Sequence, residues 1–223
     1  MKSFLNITRI KDLFLNILFP SYCLGCGIKN EILCDYCVQK IKITERETSK
    51  DILAMFDYQD PLIKKTIWEL KYHNKSYLGE KLGQLLYEFF IEDISEIKIS
   101  TPGRPIFVIP VPISRKKTRL RGYNQANSIA RGFCHQSKDE ILELKNQIVV
   151  KMIDTIPQAK ITNRSKRLKN VQGVFKIKNK DIIKDRTIIV IDDVTTTGGT
   201  ITEIIKILKK SGAKYVVGFA IAH

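Results

Sequence analysis

An apolar run beginning at Ile188 ends in two adjacent carboxylates, Asp192 and Asp193, and leads into six residues without proline: Thr195, Thr196, Thr197, Gly198, Gly199 and Thr200. Beyond them Ile201, Ile204, Ile205 and Leu208 recur at helical spacing. Backbone N–H groups at such a strand-to-helix turn converge on one point, where the helix dipole also favours negative charge. The pattern therefore describes a phosphate site. Glycines let a ligand approach the backbone, and threonine hydroxyls add hydrogen bonds. No Gly-Lys-Ser/Thr is present, which excludes a Walker A loop. Carboxylates beside a phosphate repel it unless they accept hydroxyl protons or hold a cation. A sugar phosphate offers both, through its diol and its Mg²⁺.

A second constellation is Cys23-Leu-Gly-Cys26, seven residues, then Cys34-Asp-Tyr-Cys37. Two residues between thiolates allow both sulfurs of one turn to reach the same ion, and two such turns close a tetrahedron of Zn–S bonds about 2.3 Å long. Cys23, Cys26, Cys34 and Cys37 are thus expected to bind structural zinc, with Gly25 and Gly27 supplying positive backbone angles. Four sulfur ligands leave no open position for catalysis. Cys134 stands apart on an expected helix and reads as a buried small side chain.

The 223 residues carry 38 Lys+Arg against 23 Asp+Glu, a formal net charge of +15, which suits polyanionic partners or reflects a lysine-rich composition. No apolar run approaches the roughly 20 residues of a membrane span, and no secretory signal is recognised, so a cytoplasmic location is expected. Ile10, Leu13, Phe14, Ile17 and Leu18 mark an amphipathic helix ended by Pro20. It could make peripheral contact with an anionic membrane or a partner, but packing on its own chain is favoured.

To position these groups, the chain is expected to form a small N-terminal module over residues 1–45, a polar linker, and a main domain over 52–223. Strands are expected at 52–58, 106–111, near 147–152, and at 187–192 and 215–222; helices at 61–72, 77–92, 123–135 and 200–211. Continuously apolar strands alternating with helices indicate an α/β fold, a parallel sheet flanked by helices. Ligands in such sheets bind beyond the carboxyl ends of the strands. Residues 114–121, SRKKTRLR, follow the 106–111 strand and belong at that edge. From Thr155 to Lys180 there are eight Lys/Arg and no acid, five of them within ten residues: Lys160, Arg164, Lys166, Arg167 and Lys169.

The run IIVIDDVTTTGGT resembles the phosphoribosyl pyrophosphate (PRPP) motif of type I phosphoribosyltransferases. Together with IPVPISRKKTRLRGYNQANSIA at 109–130, NRSKRLKNVQGVF at 163–175 and the paired CxxC motifs, it makes the chain from about Cys23 onward similar to the ComF family, phosphoribosyltransferase-like proteins associated with DNA uptake in naturally competent bacteria. Two departures are a third threonine, Thr197, and Gly199 where an alanine is common. The resemblance implies that Asp192 and Asp193 hold the ribose hydroxyls at the catalytic centre, that residues 195–200 bind the 5-phosphate, and that Ser114, Arg115 and Lys116 hold pyrophosphate, with Mg²⁺ arriving with PRPP.

Two functional readings stand beside each other. In the first, an acceptor displaces pyrophosphate from PRPP. In the second, the fold is a non-catalytic module that binds single-stranded DNA within the uptake machinery, using Arg119, Arg121, Lys160, Arg164, Lys166, Arg167 and Lys169, since each phosphate contact releases counterions. Tyr123, Phe133 and Phe175 are candidates to stack on bases, although aromatics in such contexts are more often core. Competence machinery proteins are the further expected partners. The acceptor is not identified by any residue, and the three histidines show no ligand spacing.

Overall fold

The computed structural model describes residues 20–45, 49–153 and 173–223. The expected N-terminal helix, and with it Lys160, Arg164, Lys166, Arg167 and Lys169 of the basic stretch, lies outside the described residues. The chain divides into two compact units, residues 1–41 and 42–223.

In the second unit a five-stranded, all-parallel sheet runs in the order β1-β7-β6-β2-β3, from β1 (Ile52–Phe56), β2 (Ile106–Pro110), β3 (Leu142–Leu144), β6 (Thr187–Val194) and β7 (Tyr215–Ala222). The central strands are apolar at nearly every position because both faces are covered, as the sequence pattern required. Phe107, Ile109, Ile188, Val190 and Val216 turn to one face, where they meet Ile201, Ile204, Ile205 and Leu208 of α7 (Gly199–Lys210). The alternate residue Phe219 instead stacks on Phe90 at 4.8 Å and meets the edge of Phe133 at 6.0 Å. That side carries α3 (Ser76–Phe89) and α6 (Gln125–Cys134), which touch almost backbone to backbone. A Cβ on Gly83 would lie 2.0 Å from the Ile129 carbonyl oxygen, and one on Gly132 would lie 2.1 Å from that of Glu80.

Helix α2 (Pro61–Tyr72) matches its expected bounds. Asp60 caps it by accepting from the amides of Leu62 (2.8 Å) and Ile63 (3.1 Å), and Pro61 occupies the first turn, where no amide partner is needed. Other elements depart from expectation for local reasons. The expected helix at 77–92 breaks at Phe90 into α3 and α4 (Ile91–Ile99). The basic segment after β2 is a separate helix, α5 (Arg115–Arg121), started by the Ser114 side chain and stopped by Gly122 at φ +79°. The three-residue edge strand β3 gave no signal of its own. The strand near 147–152 is β4 (Val149–Lys151), which leaves the main sheet to pair antiparallel with β5 (Phe175–Ile177). Residues 42–44 lie along β1, with the Asp57 amide donating to the Lys42 carbonyl (2.8 Å) and that of Thr44 to Met55 (3.1 Å).

Candidate functional site

Strands β2 and β6 are hydrogen-bonded neighbours, Pro110 opposite Ile191, so the loops that follow them open side by side at the carboxyl edge of the sheet. There a cavity of about 1180 Å³ is lined by Asp192 and Asp193 from β6, Thr196 and Thr200 from the loop and α7, Lys117 and Arg121 from α5, and one face of α2.

The turn from β6 into α7 is a left-handed glycine turn at the start of the helix. Gly198 adopts φ +72°, and a Cβ there would also press to 3.1 Å from Ile52, so the position is held to glycine by handedness and by space. The hydroxyl of Thr197 is buried without a protein partner, a donor aimed at no acceptor of this chain. Thr195 is different. Its amide donates to the Ala222 carbonyl (2.9 Å), which ties the loop to β7 and removes that N–H from the cradle.

Asp192 and Asp193 are adjacent and unequally served. The Asp193 carboxylate pairs with Lys71 of α2, Oδ2 to Nζ 3.2 Å. Asp192 accepts the Asp193 amide at 2.9 Å. Burial, followed by the neighbouring charge of Asp193, pushes Asp192 up to about 7, against the pull of that amide and of Lys71 and Lys117. Lys117 is pulled below the ordinary lysine range by burial and by repulsion from Arg121 and Lys71, with both aspartates opposing. Two carboxylates are hard oxygen donors suited to Mg²⁺, but Lys71 already sits on one of them. A cation brought in with a sugar phosphate must therefore displace the ammonium or share the site with it.

Of the basic residues singled out after β2, Arg121 lines the cavity and Ser114, Arg115, Lys116 and Arg119 do not. Ser114 is buried and serves as the cap of α5, accepting from the Lys117 amide (3.3 Å). Arg121 donates to Gln125 Oε1 (2.8 Å), while its Nε is buried with no partner. Tyr123, half-buried and not part of the cavity wall, donates its hydroxyl to the Leu70 carbonyl and fastens the end of α2 to the loop before α6, and Phe133 is fully buried and cannot stack on a ligand. Phe175 does reach the cavity wall. Lys71 and Lys117 were not singled out from sequence. The spacing of Lys64, Trp68 and Lys71 along α2 is the signal that could have found the helix face, but nothing local ties it to Asp193.

In the first unit the sulfurs of Cys23, Cys26, Cys34 and Cys37 all lie within 4.8 Å of one another. Cys34 Sγ is 3.6 Å from Cys23 Sγ and from Cys26 Sγ. That is close to the roughly 3.8 Å edge of a tetrahedron with 2.3 Å metal–sulfur bonds and far from a disulfide. The first knuckle is shaped by the Gly27 amide donating to the Cys23 carbonyl (2.9 Å), with Gly27 at φ +77°; Gly25 is not in the positive-φ region. The second opens the short helix α1 (Asp35–Val38), for which Cys34 is the N-cap. Burial opposes ionisation of Cys23, but the amides of Cys34, Cys26 and Gly25 outweigh it and bring the thiol down to about 6. Burial and the three neighbouring sulfurs push Cys37 up to about 12. A bound cation would favour ionisation of all four thiols, and the cluster could hold one. Cys134, expected to be buried, is half-buried at the end of α6, and its thiol is pushed up to about 12 by desolvation.

Comparison with known proteins agrees with this geometry. The Pribosyltran family, phosphoribosyl transferase domain, matches residues 121–223. Competence protein F of Haemophilus influenzae is 27% identical over 211 residues, covering 92% of this chain and 85% of that protein. DNA utilization protein YhgH of Escherichia coli O157:H7 is 25% identical, with 87% and 80% covered. Competence protein ComFC of Bacillus subtilis is 24% identical, with 80% and 68% covered. These relatives and the matched domain make the chain similar to the ComF family. The chain combines the phosphoribosyltransferase fold, a parallel sheet flanked by helices, with a four-cysteine cluster consistent with a zinc module. Among the described residues no helix is long and apolar enough to cross a membrane.

Proposed function

We propose that this chain binds PRPP with its Mg²⁺ in the cavity at the carboxyl edge of the sheet, and that it acts in the handling of DNA during uptake. The observation that carries the reading is the joining of three things in one cavity: an acid pair at the end of β6, Thr196 and Thr200 of the glycine-turned loop and helix start, and cationic side chains from α2 and α5. The amides and hydroxyls of residues 196–200 hold the 5-phosphate. Asp192 and Asp193 accept the ribose hydroxyl protons. With Asp192 near 7, one carboxyl of the pair can hold a proton at neutral pH, so the two share the diol rather than repel each other. We assign the pyrophosphate to Lys117 and Arg121, which line the cavity, in preference to Ser114, Arg115 and Lys116, for which the resemblance implies that role.

Transfer breaks the bond from the anomeric carbon to pyrophosphate, which leaves with the electron pair and is neutralised by those cations, while the acceptor's lone pair forms the new bond. The role in DNA uptake rests on the names of the relatives, a competence protein and a DNA utilization protein, together with the shared fold. The clustered thiols suit zinc in a reducing compartment, in keeping with a cytoplasmic location. A second reading, binding without turnover, is favoured by the Lys71–Asp193 pair, because that acid already has a counter-ion.

Calorimetric titration with PRPP and Mg²⁺ tests the first statement. Saturable binding that is lost when Asp192 and Asp193 are both changed to Ala is expected; equal binding by the double variant would remove the acid pair from the site. Pyrophosphate release, with or without an added acceptor, then separates turnover from binding.

A further inference from the structure

Apart from Lys71, the α2 wall of the cavity is given no part in holding PRPP above. Helix α2 buries Ile63, Thr66, Ile67 and Leu70, and on the face it turns to the cavity it carries Lys64, Trp68, Lys71 and Tyr72. Trp68 is 52% and Tyr72 54% exposed, so two of the largest apolar surfaces of the unit face open space. Their rings are braced. The edge of His73 meets Trp68 at 4.4 Å, and His73 Nδ1 is itself 3.2 Å from Glu69. Tyr72 lies 6.0 Å from Trp68 and carries the Arg121 guanidinium over its ring at 5.7 Å. Rings held this way lose little freedom when a ligand stacks on them.

Charge and volume point to the occupant. Among the described residues the cavity is lined by six Lys/Arg side chains against two aspartates. Lys71 and Lys117 already attend the acid pair, whereas Lys64 also lines the cavity and lies about two turns back from Lys71 along α2. The cavity, about 1180 Å³, is larger than the roughly 300–1,000 Å³ that holds one small molecule. An exposed aromatic pair flanked by lysines is the combination that binds single strands, with bases on the rings and phosphates on the cations.

We infer that the Trp68–Tyr72 face of α2 is a stacking platform for a base of single-stranded DNA, with Lys64 and Lys65 neutralising its phosphates, so that the strand enters the cavity it shares with PRPP. Trp68 precedes Lys71 by three residues, about 4.5 Å along the helix axis, and Lys71 touches Asp193. The inference rests on reading the cavity as a nucleotide site, but it assigns the strand to α2 rather than to the basic stretch at 160–169, and its test uses no PRPP.

Trp68 is the single tryptophan of the chain, so its emission reports the platform directly. Titrating the full, zinc-loaded protein with a twelve-nucleotide oligo(dT) should quench that emission, and an abasic oligomer of the same length should not. Trp68→Ala should weaken oligo(dT) binding, followed by anisotropy, about 5- to 100-fold, and Trp68→Phe should restore most of it. Equal quenching by the abasic oligomer, or unchanged binding by Trp68→Ala, would overturn the platform. Thymidine monophosphate binding as tightly as the oligomer would overturn the strand in favour of a free nucleotide. Failure of PRPP to bind the unaltered protein in calorimetry would instead count against the proposed function, leaving the fluorescence result to stand by itself.

Discussion

Replacing Asp192 by Asn should stabilise the protein at alkaline pH and not at acid pH. In the folded chain this carboxyl rises from 3.8 to about 7, because it is buried and stands beside Asp193. Below about pH 4 the group is protonated in both the folded and the unfolded state, so its ionisation has no effect on stability. Between about 4 and 7 the unfolded chain releases the proton while the folded chain keeps it, and stability falls as pH rises. Above about 7 both are ionised, and the loss is complete. A difference of some three pKa units corresponds to about 4 kcal/mol, at 1.36 kcal/mol per unit. Lys71 and Lys117 can shift toward the new charge and water can enter the open cavity, which brings the expected loss to about 2–4 kcal/mol. Asn keeps Oδ1 as acceptor for the Asp193 amide, so the turn itself is preserved. Urea unfolding of zinc-loaded wild type and variant at pH 4.5 and pH 8.5 measures the effect, and the gap in favour of Asp192→Asn should open with pH. A gap that is constant, or that closes with rising pH, would show that burial and Asp193 do not hold the proton on Asp192.

Other consequences follow from neighbouring contacts. Thr197→Val removes a buried hydroxyl without a partner, so stability should stay level or rise slightly, while PRPP affinity should fall about 10- to 100-fold in calorimetry if that hydroxyl meets the phosphate. Lys71→Met takes the counter-ion from Asp193 and should make PRPP binding depend more steeply on Mg²⁺ concentration than in the wild type. Cys34→Ser removes the sulfur 3.6 Å from two others, and metal analysis with limited proteolysis should show zinc lost and residues 20–41 cleaved first.

What the sequence revealed and what it hid divide along chain distance. The phosphate turn is a local object: an apolar strand, two acids, a Thr/Gly loop and an amphipathic helix follow one another without a break, so Gly198 and the acid pair could be placed before any coordinates. The cysteine cluster is local in the same sense, each knuckle being a four-residue turn. The short strand β3 and the helix α5 escaped because three residues carry no period, and because a cluster of arginines and lysines reads as a loop unless the Ser114 cap and the Gly122 stop are weighed. The partner of Asp193 was hidden for a deeper reason. Lys71 reaches it only because α2 leaves the neighbourhood of β1 and is fastened to the loop before α6 by the Tyr123 hydroxyl on the Leu70 carbonyl. The aromatic face of α2 is brought to the acids by that same fastening, so Tyr123, first considered as a stacking residue, instead positions the helix that carries the stacking pair. Tyr123→Phe should then loosen α2 and weaken oligo(dT) binding while Trp68 itself is intact. Unchanged binding and an unchanged Trp68 emission spectrum in that variant would show that packing of Ile63, Ile67 and Leu70 alone sets the helix in place.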